Sequence, residues 1–314
     1  MKTKPLVPVG GQALVEGVMF QGRRESASAI RRKDGSIETF EQPRILVPWV
    51  QSLKKVPFLR GIVALYESLK NGSAHMNFAS DRYDVDPSED VTAQQDEKKQ
   101  NALMIVMIGI VGILSYVFGK LIFNVTPALL AAMFQNVPAL SGHVIQNLLE
   151  GGIKLILLLS YLYLISLTPL IRRVFQYHGA EHKVINCYES GLPITVDNVR
   201  SSSRLHYRCG SSFILFTVFV GIGVYMVVPI DPLWVRLVSR IALLPVVIGI
   251  SFEVLQFTNR FRDHRFLSVL GKPGLSLQLL TTREPNDDQI RVAIEAFETW
   301  ERSELGQPAV QREG

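Results

Sequence analysis

Leu155-Ile-Leu-Leu-Leu-Ser-Tyr-Leu-Tyr-Leu-Ile-Ser-Leu-Thr-Pro-Leu-Ile171 is a run without charge, and shortly beyond it comes His178-Gly-Ala-Glu181-His182. The run matches the shortest length at which a helix crosses the hydrocarbon core of a bilayer. The pentapeptide reads H-x-x-E-H, the inverted form of the zinc-protease motif. On a helix, positions i and i+4 share a face, so His178 and His182 reach one divalent metal ion, expected to be zinc. Glu181 then stands beside that ion, where a carboxylate takes a proton from a bound water and acts as catalytic base. The juxtaposition puts metal chemistry at a membrane surface.

The composition agrees with a membrane setting. The chain has 314 residues, of which 47% are hydrophobic and 19% charged. Its mean hydropathy is +0.20. That is too apolar for an ordinary soluble domain of this length. Besides the opening run, Ala102–Gly119, Gly210–Ile230 and Ile241–Phe257 approach or reach spanning length. Residues 1–12 lack the apolar core of a signal peptide, so the segment before the first span is expected in the cytosol. The net charge of +5 suits anionic lipid headgroups, and membrane lipid is the expected partner. No basic run is interleaved with aromatics, which argues against nucleic acid.

Charge asymmetry sets the orientation. Arg172, Arg173, Lys183, Arg200, Arg204 and Arg208 lie between the second and third spans, and Arg260, Arg262 and Arg265 follow the fourth. Only Arg236 and Arg240 lie between the third and fourth. By the positive-inside rule, the loop 172–209 and both termini are cytoplasmic, in a multi-pass protein of the cell membrane. Cys187 and Cys209 then stay reduced thiols.

The expected fold is a membrane α-helical bundle of about four transmembrane helices, with polar parts at both ends. Residues 1–80 read as a small cytosolic α+β region. Within it, Gln12–Phe20 reads as one short strand between glycine turns. Lys33-Asp-Gly-Ser36 reads as a hairpin turn between Ala27–Ile30 and Ile37–Phe40. Pro57–Ser73 has helical periodicity, with Phe58, Ile62, Leu65, Tyr66 and Leu69 on one face. That face suits either a membrane surface or packing on the hairpin, and Glu67 is expected in solvent. Residues 81–100 read as an acidic linker and 101–257 as the bundle, with 121–149 an extension or re-entrant element. Residues 258–314 form a cytosolic helical region: a turn at Gly271–Gly274, a final helix capped near Asn286, and a polar tail.

Further ligand types gather in the cytoplasmic loop. His206-x-x-Cys209 has the spacing of half a zinc site. Two arrangements follow. In one, His178 and His182 ligate, a third ligand comes from elsewhere, and Glu181 is the base. In the other, Cys187, His206 or Cys209 completes a closed structural site. Glu253 lies near the cytoplasmic end of the fourth span, where an ionisable residue is costly and faces inward. It either supplies the third ligand or pairs with Arg172, Arg173 or another arginine. Glu16 reads as a turn or sheet-edge residue rather than an acid catalyst.

Several motifs resemble the bacterial YqhQ-like family: Gly10-Gly-Gln-Ala-Leu-Val-Glu-Gly-Val-Met19, Pro57-Phe-Leu-Arg-Gly61 and Tyr177–Glu189. Ser203-Arg-Leu-His206, Arg208-Cys-Gly210 and Leu280-Thr-Thr-Arg-Glu-Pro285 continue the likeness in the same order. The resemblance implies an integral membrane protein described generally as a metal-dependent enzyme, with no substrate attached. Its motif positions fall on His178, Glu181, His182, Cys187, Glu189, His206 and Cys209. The family pattern often has Pro after the R-L-H histidine, where this chain has Tyr207.

Two functions compete. One is a metal-dependent hydrolase acting at the cytosolic membrane face on a lipid-linked or membrane-peptide substrate. The other is a non-enzymatic scaffold that docks a cytosolic protein partner, its loop held by structural zinc. Transport fits less well, since the spans hold few polar groups and show no paired broken helices.

Overall fold

The computed structural model describes residues 7–44, 47–89, 114–115, 118–119, 121–262, 264 and 267–306. It is mostly helical, with one antiparallel sheet of four strands in the order β1-β2-β3-β4. The strands are β1 (Gly10–Leu14), β2 (Gly17–Gln21), β3 (Glu25–Arg31) and β4 (Ile37–Pro43). The stretch expected as one strand is thus two, reversed at Glu16 with φ 51°. Gly11 pairs with Phe20 across that turn. The Asp-Gly hairpin forms between β3 and β4, with Gly35 at φ 89° as such turns require.

Side chains alternate across the sheet, and each face takes a different cover. Val18, Phe20, Ala27 and Ala29 point to one side, against Tyr177, Ala180 and Val184 and against Ile290, Phe297 and Trp300. Leu14, Met19 and Ile30 point to the other side, against Ala79. The first cover comes from α5 (Pro169–Glu189) and α11 (Asp287–Leu305), the second from α2 (Leu59–Arg82), which follows the short α1 (Pro48–Leu53). The sheet and helix α11, far apart in sequence, therefore share one core. Asn286 caps α11 through a full capping box with Gln289.

Of the two settings expected for the apolar face of α2, packing on the hairpin is not the one found. The helix buries Gly61, Val63, Glu67, Asn71, Gly72, His75 and Ala79, while Phe58, Ile62, Leu65, Tyr66 and Leu69 remain exposed. Glu67 is not in solvent: it is 4% exposed and paired with Arg44 and Lys54. Nearby cations compensate its burial, as burial of a carboxylate demands.

The apolar part contains α3 (Thr126–Ala132), entered through a π turn at Leu121–Val125, then α4 (His143–Ile165). After α5 and the short α6 (Val196–Ser201) come α7 (Gly210–Tyr225), α8 (Leu233–Ala242) and α9 (Leu244–Arg260). Among the described residues, only α4 is by itself long and apolar enough to cross a membrane. Helices α8 and α9 pass the same test together, bent by 52° at their junction. Helix α7 is apolar but has 16 residues, short of spanning length.

The expected second span is displaced. Its helix runs from His143 and stops at Ile165, where Ser166 and Thr168 donate hydroxyls back to Tyr163 and Ile165, before Pro169 opens α5. The expected first span lies outside the described residues except for 114–115 and 118–119, as do residues 90–100 of the linker and the tail after Gly306. Lys272–Thr281 is a helix, α10, not a turn, because Pro273 sits in the first turn, where it needs no N–H partner.

Candidate metal centre

Helix α5 carries the H-x-x-E-H motif through the middle of the protein, with Gly179, Ala180, Glu181 and His182 all buried. Two segments fix its histidines. His178 Nδ1 bonds the Thr281 carbonyl at 2.8 Å, and His182 Nδ1 bonds the Arg204 carbonyl at 2.6 Å. A carbonyl only accepts, so Nδ1 carries the proton on both rings and Nε2 presents its lone pair. This is the arrangement that readies imidazoles for metal ligation.

The free nitrogens converge on a thiol. His178 Nε2 lies 3.2 Å from Cys209 Sγ. One ligand atom each from His178, His182 and Cys209 lies within 4.8 Å of the others. Both cysteines are free thiols. Imidazole nitrogen and thiolate sulfur are the donors zinc favours, so these residues fit that ion. Cys209 itself caps α7, its sulfur accepting from the Ser211 N–H at 3.4 Å.

Glu181 completes the group. Its Oε2 is 3.5 Å from His182 Nε2 and 3.9 Å from His178 Nε2. Burial pushes its carboxyl up to about 7, against the opposing pull of His178 and Arg208. Over it lies β1: a Cβ on Gly11 would stand 2.5 Å from Glu181 Oε1. The His178 side chain is the most open of the three motif residues, with 18% exposed against 5% for Glu181 and 2% for His182.

The surroundings explain the other motifs. A Cβ on Gly179 would stand 2.0 Å from the Arg283 carbonyl, so only glycine lets residues 281–285 lie against α5. Arg283 N–H bonds the Phe175 carbonyl at 2.8 Å. Lys183 Nζ bonds the carbonyls of Arg200 and Ser202 at 3.0 and 2.8 Å. Gln278 holds both the N–H and the carbonyl of His206. Sequence reasoning gave Gly11, Gly179, Lys183 and Gln278 no part in the site. The signal was there for three of them, since Gly11, Gly179 and Lys183 sit inside the quoted motifs.

The remaining candidates stand apart. His206 belongs to a neighbouring charge cluster, with its ring centroid 5.8 Å from that of His182 and its Nε2 3.6 Å from Glu189 Oε2. Burial raises the Glu189 carboxyl, but His206, Arg208 and Arg262 outweigh it and bring it down to about 2. Burial also lowers His206. Cys187 is buried with its thiol toward the Pro193 carbonyl at 3.6 Å, outside the ligating group. Glu253 is not the third ligand. Its Oε1 accepts from the Phe58 N–H at 3.0 Å and from Arg60 Nε at 2.7 Å, so the arginine that neutralises it comes from α2. Glu253 lies outside the group of His178, His182 and Cys209 that could hold a metal ion.

The family model for proteins of unknown function DUF1385 matches residues 56–303, and the chain belongs to that family. A close relative is the "Uncharacterized protein YqhQ" of Bacillus subtilis (strain 168). It is 58% identical over 289 residues, covering 92% of this chain and 90% of the relative. No solved structure matches the chain. The likeness seen in the motifs is thus family membership.

Proposed function

We propose that the protein is a zinc-dependent hydrolase of the cell membrane, acting at the cytosolic face on a lipid-linked or membrane-peptide substrate. The observation that carries this reading is the convergence of three donors, His178, His182 and Cys209, with a buried carboxylate beside them. Three protein ligands leave one coordination position for water, the pattern of catalytic rather than structural sites. Zinc held there would lower the pKa of that water and polarise the scissile bond. Glu181 would take a proton from that water as it attacks the scissile bond and pass it to the leaving group. A carboxyl near neutrality exchanges protons readily in both directions.

The setting supports a membrane substrate. Helix α5 starts at Pro169, directly after α4 ends at Ile165, so the centre sits just beyond the end of the apolar helix. The basic residues of 172–209 favour the cytosolic side. A bundle of four spans and cytosolic termini extend this reading.

The second reading is structural zinc in a scaffold that docks a cytosolic partner. The short distances from Glu181 to both imidazoles favour it, since the carboxylate is near enough to close the site. One variant separates the two. Elemental analysis of full-length protein purified without chelator is expected to show one zinc per chain, lost in His178→Ala/His182→Ala. Glu181→Gln is expected to keep that zinc and fail in genetic complementation. Loss of zinc from Glu181→Gln would favour the scaffold, and absence of stoichiometric metal from the wild type would sink both readings.

A further inference from the structure

Helix α2 changes the character of its exposed face halfway along its length. Phe58, Ile62, Leu65, Tyr66 and Leu69 form an exposed apolar stripe over the first turns. Further on, the same face presents Ser73, Asn77 and Ser80, which are also exposed. The opposite side changes partner along the same length. Its first half packs on α9, where a Cβ on Gly61 would stand 2.5 Å from Phe252. Its second half covers the sheet, with His75 on Ser26 and Ser28 and Ala79 beside Leu14, Met19 and Ile30. The open face is thus apolar only where α2 runs beside α9, one half of the bent pair apolar enough to cross a membrane.

The turn before α2 extends the stripe. Trp49, Val56 and Leu59 are exposed as well, Trp49 by 67%. Phe58 is held at φ 68°, a conformation that costs an L-residue energy. Two groups of α9 keep it there. Glu253 Oε1 accepts the Phe58 N–H at 3.0 Å, and Gly249 leaves room for the Phe58 carbonyl, where a Cβ would come within 2.6 Å. In that conformation the Phe58 ring stays outward, 54% exposed. A contiguous apolar surface of this kind marks an interaction site.

Charge identifies the occupant. Between positions 44 and 80 the cations are Arg44, Lys54, Lys55, Arg60 and Lys70, against one carboxylate, Glu67. Glu67 is buried on Arg44 and Lys54, whereas Lys55 and Lys70 are exposed and bracket the stripe in sequence. A second copy of the chain would set the same lysines against each other across a two-fold interface. An anionic headgroup layer meets them with opposite charge, takes up the apolar side chains, and suits Trp49 and Tyr66 at its boundary.

We infer that α1 and the first half of α2, residues 48–69, lie in the headgroup boundary of an anionic membrane leaflet, beside α9. The inference rests on the reading of the chain as a membrane protein. The second half of α2 then carries the sheet, so one helix sets the height of the sheet above the lipid.

The test uses the full chain in vesicles of dioleoylphosphatidylcholine mixed equally with dioleoylphosphatidylglycerol. Spin labels are attached to Ile62→Cys, Leu65→Cys, Asn77→Cys and, on the exposed side of α4, Ile156→Cys. The wild type, whose Cys187 and Cys209 are buried, is the blank. Each label is probed with oxygen, which concentrates in lipid, and with a nickel chelate, which stays in water. Labels at 62, 65 and 156 should favour oxygen, and the label at 77 the chelate. Tyr66→Cys stands in if Ile62→Cys or Leu65→Cys does not fold. Labels at 62 and 65 open to the chelate, with 156 in lipid, would overturn the inference and leave the membrane reading intact. A label at 156 open to the chelate would overturn the membrane reading itself, and the inference with it. Labels at 62 and 65 shielded from both probes would mean that protein covers the face, a second copy or another segment of the chain, and would also overturn it. Lys55→Gln/Lys70→Gln should lower the preference for spin-labelled phosphatidylglycerol over phosphatidylcholine by roughly fivefold per lysine. An unchanged preference would overturn the assignment to an anionic leaflet.

Discussion

Gly11 lies directly against the Glu181 carboxylate, where a Cβ would come within 2.5 Å of Oε1. A strand from the start of the chain thereby roofs the acid of a motif placed near its middle. Glycine is required there for space, since β1 is ordinary extended backbone. Gly11→Ala is expected to push the Glu181 side chain aside, at an overpacking cost of about 1–3 kcal/mol. Complementation should fall while zinc stays, because the three donors are untouched. Gly10→Ala, with open space around its Cβ, should behave as wild type. Equal behaviour of the two variants would rule out the roofing role.

Glu253 offers a second check. Paired with Arg60 and the Phe58 N–H, it ties α9 to α2. Glu253→Gln should leave zinc content unchanged and lower stability by about 1 kcal/mol or less, given its partial exposure. Zinc loss in that variant would return it to the ligand set.

His75 should make stability pH-dependent. Its nitrogens lie 2.9 Å from Ser28 Oγ and 3.0 Å from Ser26 Oγ, and burial lowers its pKa from 6.5 to about 4. Between those values the unfolded chain binds a proton that the folded chain does not. Stability is therefore full above about pH 6.5 and declines as pH falls towards 4, by on the order of 3 kcal/mol. His75→Gln should flatten that slope in chemical denaturation. An unchanged slope would assign the acid sensitivity elsewhere.

Topology is testable by labelling. Ser201→Cys, in the basic loop, should react with a membrane-impermeant maleimide only after cells are opened. Reaction in intact cells would invert the proposed orientation.

Local signals were legible in the sequence, and distant pairings were not. The Asp34-Gly35 turn and the Asn286 capping box depend on neighbours within a few residues, and both are found. Cys209 was one of three candidates to join the two histidines, and which of them comes near depends on the start of α7 meeting α5, which spacing does not encode. Glu67 looked solvent-exposed because its partners Arg44 and Lys54 lie on other segments. The displaced span has the same origin. Gln146, Asn147 and Glu150 fell outside the expected span, yet Arg236 and Arg240 of α8 bond them within the fold, so the helix begins at His143. The metal motif itself was legible, because one helix sets its spacing.

The Thr281 carbonyl that orients His178 lies far downstream of the histidine it holds. A hundred and three residues separate the two, so the bond forms only once that intervening chain has been made. Until then one imidazole is free to turn, and the β-sheet lacks Phe297 and Trp300 as its cover. The orientation of His178 thus hangs on a long-range fold, not on its own helix. Any ion held by the group would be captured only after the segment around Thr281 has folded back onto α5, so metal loading and tertiary folding would be one coupled event.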